Sequence, residues 1–212
     1  MRLRASRALA AALLTCVLAM AGGAAPSAPT GSRFAAAPDA RATQRLPQQP
    51  SAATSAQLFE QIYTVLEHPR CMNCHTGEAF PRQGDDSHRH TMNVSRGPAD
   101  HGAPGLHCPT CHQSVNQASS GVPGAQDWSL APMRMTWRGL TAGQLCRALR
   151  DPAKGALPPE QMLPHFATGL IRWAWAPGTN SHGRTRSTPP MSYAHFIDVT
   201  KRWVTSGAAC PE

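Results

Sequence analysis

Two copies of the five-residue pattern Cys-x-x-Cys-His carry most of the chemistry that this sequence offers. The copies are CMNCH, which begins at Cys71, and CPTCH, which begins at Cys108. They use four of only seven cysteines in the chain, so chance does not account for the repetition. In this pattern the two thiols lie about one helical turn apart, where each can bond to one vinyl group of a haem. The pattern therefore predicts two covalently attached haem c groups.

Each motif residue has an expected role in haem attachment. The thioether bonds are expected at Cys71, Cys74, Cys108 and Cys111. The histidine that ends each motif projects its imidazole toward the iron, so the proximal ligands are expected to be His75 and His112. These two histidines are too close in the chain for two consecutive cytochrome domains. We therefore expect both haems to share one domain.

Paired cysteines also occur in two other kinds of site. Structural zinc sites join two Cys-x-x-Cys knuckles, but the knuckles are usually separated by about 12 to 20 residues. The separation between Cys74 and Cys108 is larger, and zinc has no need of a histidine directly after each pair. A dithiol redox centre would need a thioredoxin-like pattern of strands and helices, which is missing. A zinc-stapled binding module stays open as the less favoured alternative.

The sixth ligand of each iron separates electron transfer from catalysis. A His or Met closes that position, whereas an open position admits small ligands, as in a peroxidase-like haem enzyme. A short domain without an evident acid–base pocket favours the electron carrier over the enzyme. The sequence offers more candidates than two irons need, and each alone is more often a solvated or core residue: His88, His90, His101, Met133, Met135 and His165.

The N-terminal residues have the features of an export signal. Three arginines within the first seven residues precede an apolar run that is too short to span a bilayer, and Ala19-Met20-Ala21 offers a cleavage pattern. We predict a signal peptide over residues 1–21, a periplasmic location and no stable membrane span after cleavage. The formal charge of +8 falls by three to +5 without those arginines. The remaining basic residues form no single run, so no nucleic-acid partner is expected.

Two cysteines are left when the motif cysteines and Cys16 of the signal are set aside. These are Cys146 and Cys210. Because an exported protein lies in an oxidising compartment, we predict one disulfide between them, with two buried free thiols as the alternative. The bond would tie the C-terminal helix to the helix that begins at Thr141.

Composition and periodicity predict how the chain is organised. Residues 22–54 are rich in Ala, Pro, Gln, Ser and Thr, which predicts a disordered linker, and residues 55–212 are long enough for one domain. No strand signal is present, and residues 76–106 are predicted to be a long irregular loop. The predicted fold class is a mainly α, loop-rich, cytochrome c-like dihaem domain with about four helices. Apolar spacing places these helices at about 55–67, 141–150, 159–175 and 192–206.

Several longer stretches resemble one family of small exported cytochromes c. They are HPRCMNCH (68–75), QGDD (83–86), H-x-H and V-x-RG (88–97), CPTCHQ (108–113), VPGAQDWSLAP (122–132), WAWAPG (173–178) and the closing GAACP. Proteobacterial members of this family are often labelled as a subunit of isoquinoline 1-oxidoreductase. The resemblance extends from His68 to Pro211 and is more specific than two haem motifs alone.

The resemblance adds expectations about ligands and partners. It places His90, Met135 and His165 where the family has the same residue type, and so ranks these three above Met133, His101 and His182. His90 and Met135 are the first choices and His165 is next. Met92 lies in a stretch that departs from the family and stays open as a substitute ligand. It implies a redox partner, possibly a molybdenum hydroxylase, that passes electrons to this protein, and a downstream acceptor. No base, nucleophile or substrate pocket comes with the family pattern, so no catalytic residue is expected and the chain is an electron carrier more than an enzyme.

Overall fold

Six α-helices connected by long loops form the structure, a computed structural model that describes residues 53–212. The helices are α1 (Ser55–Leu66), α2 (Pro69–Met72), α3 (Ala142–Ala148), α4 (Pro159–Phe166), α5 (Gly169–Arg172) and α6 (Tyr193–Thr205). The predicted signal peptide and the predicted linker up to residue 52 lie outside the described residues. Within 53–212, no helix has the length and apolar content needed to cross a bilayer.

The core forms where α1 packs against α6. The residues of α1 that recur at spacings of three and four are the buried ones: Leu58, Phe59, Ile62, Val65 and Leu66. The ring centroids of Phe59 and Trp203 are 5.1 Å apart, and neither side chain is more than 1% exposed. Fully burying one such apolar side chain stabilises a fold by about 1.5 to 3 kcal/mol. This core provides the rigid support for the loops that follow α2.

The helix α3 begins with a capping box. The hydroxyl of Thr141 accepts a hydrogen bond from the backbone N–H of Gln144 at 3.3 Å, and the Gln144 side chain accepts one from the backbone N–H of Thr141 at 2.9 Å. Both bonds satisfy donors that a helix start would otherwise leave without partners. The predicted start of this helix at Thr141 therefore lies at its N-cap.

Replacing Thr141 with alanine is expected to lower the free energy of unfolding by about 1 kcal/mol, because an N-cap hydroxyl is lost. Urea unfolding of the mature protein, followed by far-ultraviolet circular dichroism, measures the difference. Thr141→Ser keeps the hydroxyl and should remain close to the wild type. Equal losses in the two variants would contradict the capping role.

The prediction of about four helices is wrong in number because two helices are very short. α2 and α5 have four residues each, too few to show an apolar period. The stretch predicted at 159–175 divides after Phe166 into α4, α5 and a 3₁₀ turn at Trp173–Trp175. The predicted ends of the last helix agree well, since α6 is capped by Ser192 and followed by Gly207 with φ +97°.

The expected absence of strands is also wrong, although the strands are minimal. β1 (Arg82–Gln83) pairs antiparallel with β2 (His88–Arg89), and β3 (Gly102–Ala103) pairs antiparallel with β4 (Leu106–His107). Two-residue strands contain no alternation that a sequence pattern could show. The second hairpin turns at Gly105, whose φ of +85° is costly for other residues. Both hairpins lie inside the region predicted as an irregular loop.

A buried arginine fixes this loop on the rest of the domain. The side chain of Arg96 donates hydrogen bonds to the backbone oxygens of Thr76 (2.9 Å), Glu78 (3.1 Å) and Ala131 (2.6 Å). It also forms an ion pair with Asp100 at 2.6 Å. One guanidinium thus connects the segments that follow both motifs, and the loop between the motifs is held in a defined position.

The C-terminal segment is joined to α3. The sulfur atoms of Cys146 and Cys210, the pair expected from the sequence, are 2.02 Å apart, which is a disulfide distance. Cys146 is completely buried. The side chain of Arg147 donates a hydrogen bond to the backbone oxygen of Pro211 at 3.2 Å, so the last residues lie along α3.

Candidate functional site

The two motifs fold into the same tight turn. The backbone N–H of His75 donates to the oxygen of Cys71 at 3.1 Å, and that of His112 donates to the oxygen of Cys108 at 2.9 Å. In the first motif this turn continues α2, which begins at Pro69 and is capped by the His68 side chain. In the second it continues a 3₁₀ turn at Cys108–Thr110. Each turn brings two cysteines and one histidine together, as haem attachment requires.

Each motif histidine uses one ring nitrogen in the same way. Nδ1 of His75 lies 3.0 Å from the backbone oxygen of Met135, and Nδ1 of His112 lies 2.8 Å from that of Pro123. Because a carbonyl oxygen can only accept, Nδ1–H is the donor in both bonds. The tautomer is then fixed, and Nε2 keeps its lone pair for a metal ion. Histidine ligands of metals usually have this kind of outer hydrogen bond.

A tryptophan stacks on each of these imidazoles. The ring centroids of His75 and Trp137 are 3.4 Å apart with an interplanar angle of 9°. Those of His112 and Trp128 are 4.1 Å apart with an angle of 8°. Stacking on one face and a hydrogen bond at Nδ1 leave each ring little freedom to rotate. The two motif histidines therefore have the same pair of contacts, a hydrogen bond at Nδ1 and a stacked tryptophan.

Burial keeps both motif imidazoles and the two thiols of the first motif uncharged. It lowers the pKa of His75 to about 4 and also lowers the pKa of His112. It raises the pKa of Cys71 to about 12 and that of Cys74 to about 11. Both imidazoles are thus neutral at pH 7, which is the form that binds a metal ion. The protonated thiols do not favour a thiolate-based redox centre.

The second motif opens onto a large cavity. Its volume is about 1050 Å³, and all three chemical groups of the motif, Cys108, Cys111 and His112, are among its lining residues. Cys74 of the first motif also reaches it. Cofactor sites commonly have volumes of about 300 to 1,000 Å³, so a porphyrin-sized group is of the right scale. The residues present therefore fit a haem attached at the second motif.

His90 and His112 both line this cavity, and their rings are near each other. Their ring centroids are 6.2 Å apart, with an interplanar angle of 59°. Nδ1 of His90 donates to the backbone oxygen of Thr91 at 2.8 Å, so Nε2 is again left with its lone pair. His90 directly follows β2 and extends the hairpin of β1 and β2, since the N–H of His90 donates to the oxygen of Pro81 at 3.1 Å.

Met135 and His165 are placed near the first motif. Met135 faces His75 with its backbone oxygen, while its side chain packs beside Gly155. Because Met135 lies next to the proximal ring of His75, its sulfur is poorly placed to bind the same iron from the distal side. His165 lies in α4 and is an electrostatic neighbour of His75. It stays the candidate for the first iron.

Three other candidates have different surroundings. His88 lines the cavity, and its Nδ1 is 2.6 Å from a carboxylate oxygen of Asp86. His101 uses its backbone oxygen to accept from the N–H of Cys108 at 2.8 Å. Met133 is 50% exposed. Among these candidates, His90 is the one whose ring is in contact with His112.

The donor set does not suit a zinc site. Across residues 53–212, no three side chains of His, Cys, Asp or Glu stand close enough together to hold one metal ion. A structural zinc site needs four such ligands in a tetrahedron. The cysteines of the two motifs therefore do not converge as zinc knuckles would.

Several parts of the site had no signal in the sequence. The carbonyl groups of Met135 and Pro123 orient the two proximal rings, but any residue type can supply a backbone oxygen. The stacking of Trp128 and Trp137 on the motif histidines depends on tertiary contacts. No protein-family model matches the chain, and no curated protein or solved structure is significantly similar to it.

Proposed function

We propose that this chain is an exported dihaem c-type cytochrome that carries single electrons. The observation that supports it best is the repeated construction of the two motifs. In each, two cysteines and a histidine share one turn, Nδ1–H of the histidine donates to a backbone oxygen, and a tryptophan stacks on the ring. A dithiol centre needs neither of the last two features, whereas a histidine that binds a metal ion usually has the hydrogen bond at Nδ1.

The second haem would be held by Cys108, Cys111 and His112, with His90 as the sixth ligand. Histidine–metal bonds are about 2 Å long, and each ring centre lies roughly 1 Å beyond its nitrogen, so rings on opposite sides of one metal have centres about 6 Å apart. The centroid distance of 6.2 Å between His90 and His112 agrees with this value.

The first haem would be held by Cys71, Cys74 and His75. Its sixth ligand is assigned to His165 in preference to Met135, because the Met135 side chain packs at Gly155. Two histidine ligands at each iron would make this protein a carrier at both sites and not an enzyme with an open iron.

The residues around each iron have distinct tasks in electron transfer. The haem iron supplies the one-electron redox chemistry. The thioether cysteines keep the cofactor in place, and the carbonyl acceptors at Nδ1 fix each imidazole and increase its basicity. Buried surroundings exclude water from the proximal side. The fixed rings keep the ligand geometry similar in both oxidation states, which favours fast transfer.

The partners proposed for this protein come from the resemblance to the exported cytochromes c. A molybdenum hydroxylase-like oxidoreductase would donate electrons in the periplasm, and a second protein would accept them. The organic chemistry would belong to the donor, because the cytochrome itself carries no catalytic base or nucleophile in the proposed scheme.

The proposal is tested by counting haems on the mature protein, expressed in a host with the haem-attachment machinery. Pyridine haemochrome and intact mass should give two haems per chain, and the reduced spectrum should have a sharp c-type α-band. The variant Cys108→Ala/Cys111→Ala should keep one haem. The matched control Cys146→Ala/Cys210→Ala also loses two cysteines but should keep two haems.

Other outcomes of the same measurement would favour other functions. A high-spin band in the wild type, with rapid reaction with peroxide, would favour a haem enzyme. A colourless protein that contains zinc would favour the binding module. Either result would overturn the electron carrier.

A further inference from the structure

The cavity at the second motif has buried polar atoms that the protein itself does not satisfy. Trp173 Nε1 and Asn73 Oδ1 are buried and have no hydrogen-bond partner among the described residues, and both residues line this cavity. Buried polar atoms in native proteins nearly always have partners. Nε1–H of Trp173 is a donor only, so the missing partner at this point is an acceptor. Asn73 Oδ1 is itself an acceptor, so the partner that it lacks is a donor.

Two arginines line the same cavity as the unsatisfied tryptophan. The guanidinium of Arg70 lies over the Trp173 ring, 5.5 Å from its centroid, and Arg186 lines the same cavity. Burial lowers the pKa of Arg70, and the nearby charge of Arg186 lowers it further. Buried cations in the wall of one cavity are unfavourable unless anions lie beside them.

Carboxylates of the protein neutralise only one of these cations. Arg70 forms an ion pair with Asp85. Arg186 instead donates to the backbone oxygens of Gly121 (2.9 Å) and Pro177 (2.7 Å), and no ion pair joins it to a carboxylate within the part of the chain that the structure describes. A half-buried guanidinium bonded only to neutral oxygens keeps its full charge available for an anionic ligand.

The backbone is shaped around the guanidinium of Arg186. Gly121 has a φ of +64°, and a Cβ atom at this position would collide with Nη1 of Arg186. A side chain on residue 121 would also meet the Pro177 oxygen at 2.8 Å. The absence of a side chain at Gly121 thus leaves the space that the Arg186 guanidinium occupies, so the backbone turn helps to fix its position.

We propose that Trp173, Arg70 and Arg186 form a carboxylate-binding subsite in the wall of this cavity. The inference rests on the proposed function, in which the carboxylate is a propionate of the haem held by Cys108, Cys111 and His112. A carboxylate has two acceptor oxygens and can bind a tryptophan N–H and a guanidinium at the same time. It would also give Arg186 an anionic partner, as Asp85 already does for Arg70.

The subsite is tested through the reduction potentials of the two haems. A cation next to a propionate favours the reduced, less positive haem, so Arg186→Gln is expected to lower the potential of one haem. A tenfold shift in its reduction equilibrium, which is 59 mV for one electron, is the expected size. Trp173→Phe removes the N–H but keeps the ring, and should lower the same potential by less. Spectroelectrochemical titration resolves the two haems and measures both changes.

Control variants separate charge from structural effects. Arg202→Gln removes a cation from α6, where Arg202 pairs with Asp198 at 3.8 Å, and should leave both potentials unchanged. Arg186→Lys keeps the charge and should restore most of the potential lost in Arg186→Gln. Equal falls in the Lys and Gln variants would assign Arg186 a structural role at Gly121 and overturn the subsite.

Failure of this inference is distinguishable from failure of the proposed function. Two haems per chain with unchanged potentials in Arg186→Gln and Trp173→Phe would overturn the subsite alone. Fewer than two haems on the wild-type protein would overturn the proposed function, and the propionate assignment with it.

Discussion

His90→Ala is expected to open the sixth position of one iron while both haems stay attached. The attachment residues Cys108, Cys111 and His112 are unchanged, so the haem count should remain two. With the opposed imidazole removed, the iron at His112 loses its closing ligand and becomes high-spin. The reduced variant should then bind one more carbon monoxide per chain than the wild type. Optical titration with carbon monoxide gives this number directly.

The loop supplies a matched control two residues away. His88 also lines the cavity, but the rings in contact with His112 are those of His90 and Trp128. His88→Ala should therefore bind as much carbon monoxide as the wild type. A His90→Ala protein with an unchanged low-spin spectrum would assign the sixth ligand to another residue of the cavity, such as Met92.

Met135→Leu provides a second comparison at the other motif. The backbone oxygen of residue 135, which accepts from His75, is kept in the leucine variant. The spectrum and carbon monoxide uptake should therefore equal those of the wild type. A new high-spin band in this variant would show that the sulfur of Met135 is a ligand.

Loss of the disulfide between Cys146 and Cys210 is expected to lower the free energy of unfolding by about 4 kcal/mol, because the bond closes a long loop in the unfolded chain. The two cysteines are separated by 64 positions. The double variant Cys146→Ala/Cys210→Ala removes the bond without leaving a free thiol. Urea unfolding of the oxidised, haem-loaded protein measures the loss.

A reductant gives an independent version of the same experiment. Thiol reagents cut disulfides but leave thioether bonds intact, so reduced wild-type protein should keep both haems and lose a similar amount of stability. The double variant should not respond to the reductant. A loss below about 1 kcal/mol in both cases would contradict the entropic role of the bond.

The sequence alone predicted the parts that depend on local pattern. The apolar face of α1 and the ends of α6 follow from residue spacing and capping signals, which act within one or two turns. The pairing of Cys146 with Cys210 was expected because they were the two cysteines left over and an oxidising compartment was predicted. The two Cys-x-x-Cys-His patterns are equally local, because five consecutive residues define each of them, and the haem attachment that they predict stays a prediction.

Features shorter than a helical period could not be predicted. α2, α5 and the four strands contain two to four residues each, and their formation depends on turns and long-range contacts. The division between α4 and α5 after Phe166 has the same origin. In such segments local propensity is too weak to oppose tertiary packing.

Only the tertiary structure shows how the distal candidates are placed. The fold brings the ring centroids of His90 and His112 to 6.2 Å and packs the side chain of Met135 beside Gly155. It also brings Arg70, Trp173 and Arg186 to the lining of one cavity. The sequence by itself determined the spacing of the cysteines and the histidine in each motif, because covalent spacing is a local property. Which groups face one another across the cavity depends on loop closure over long separations, and no local pattern encodes it.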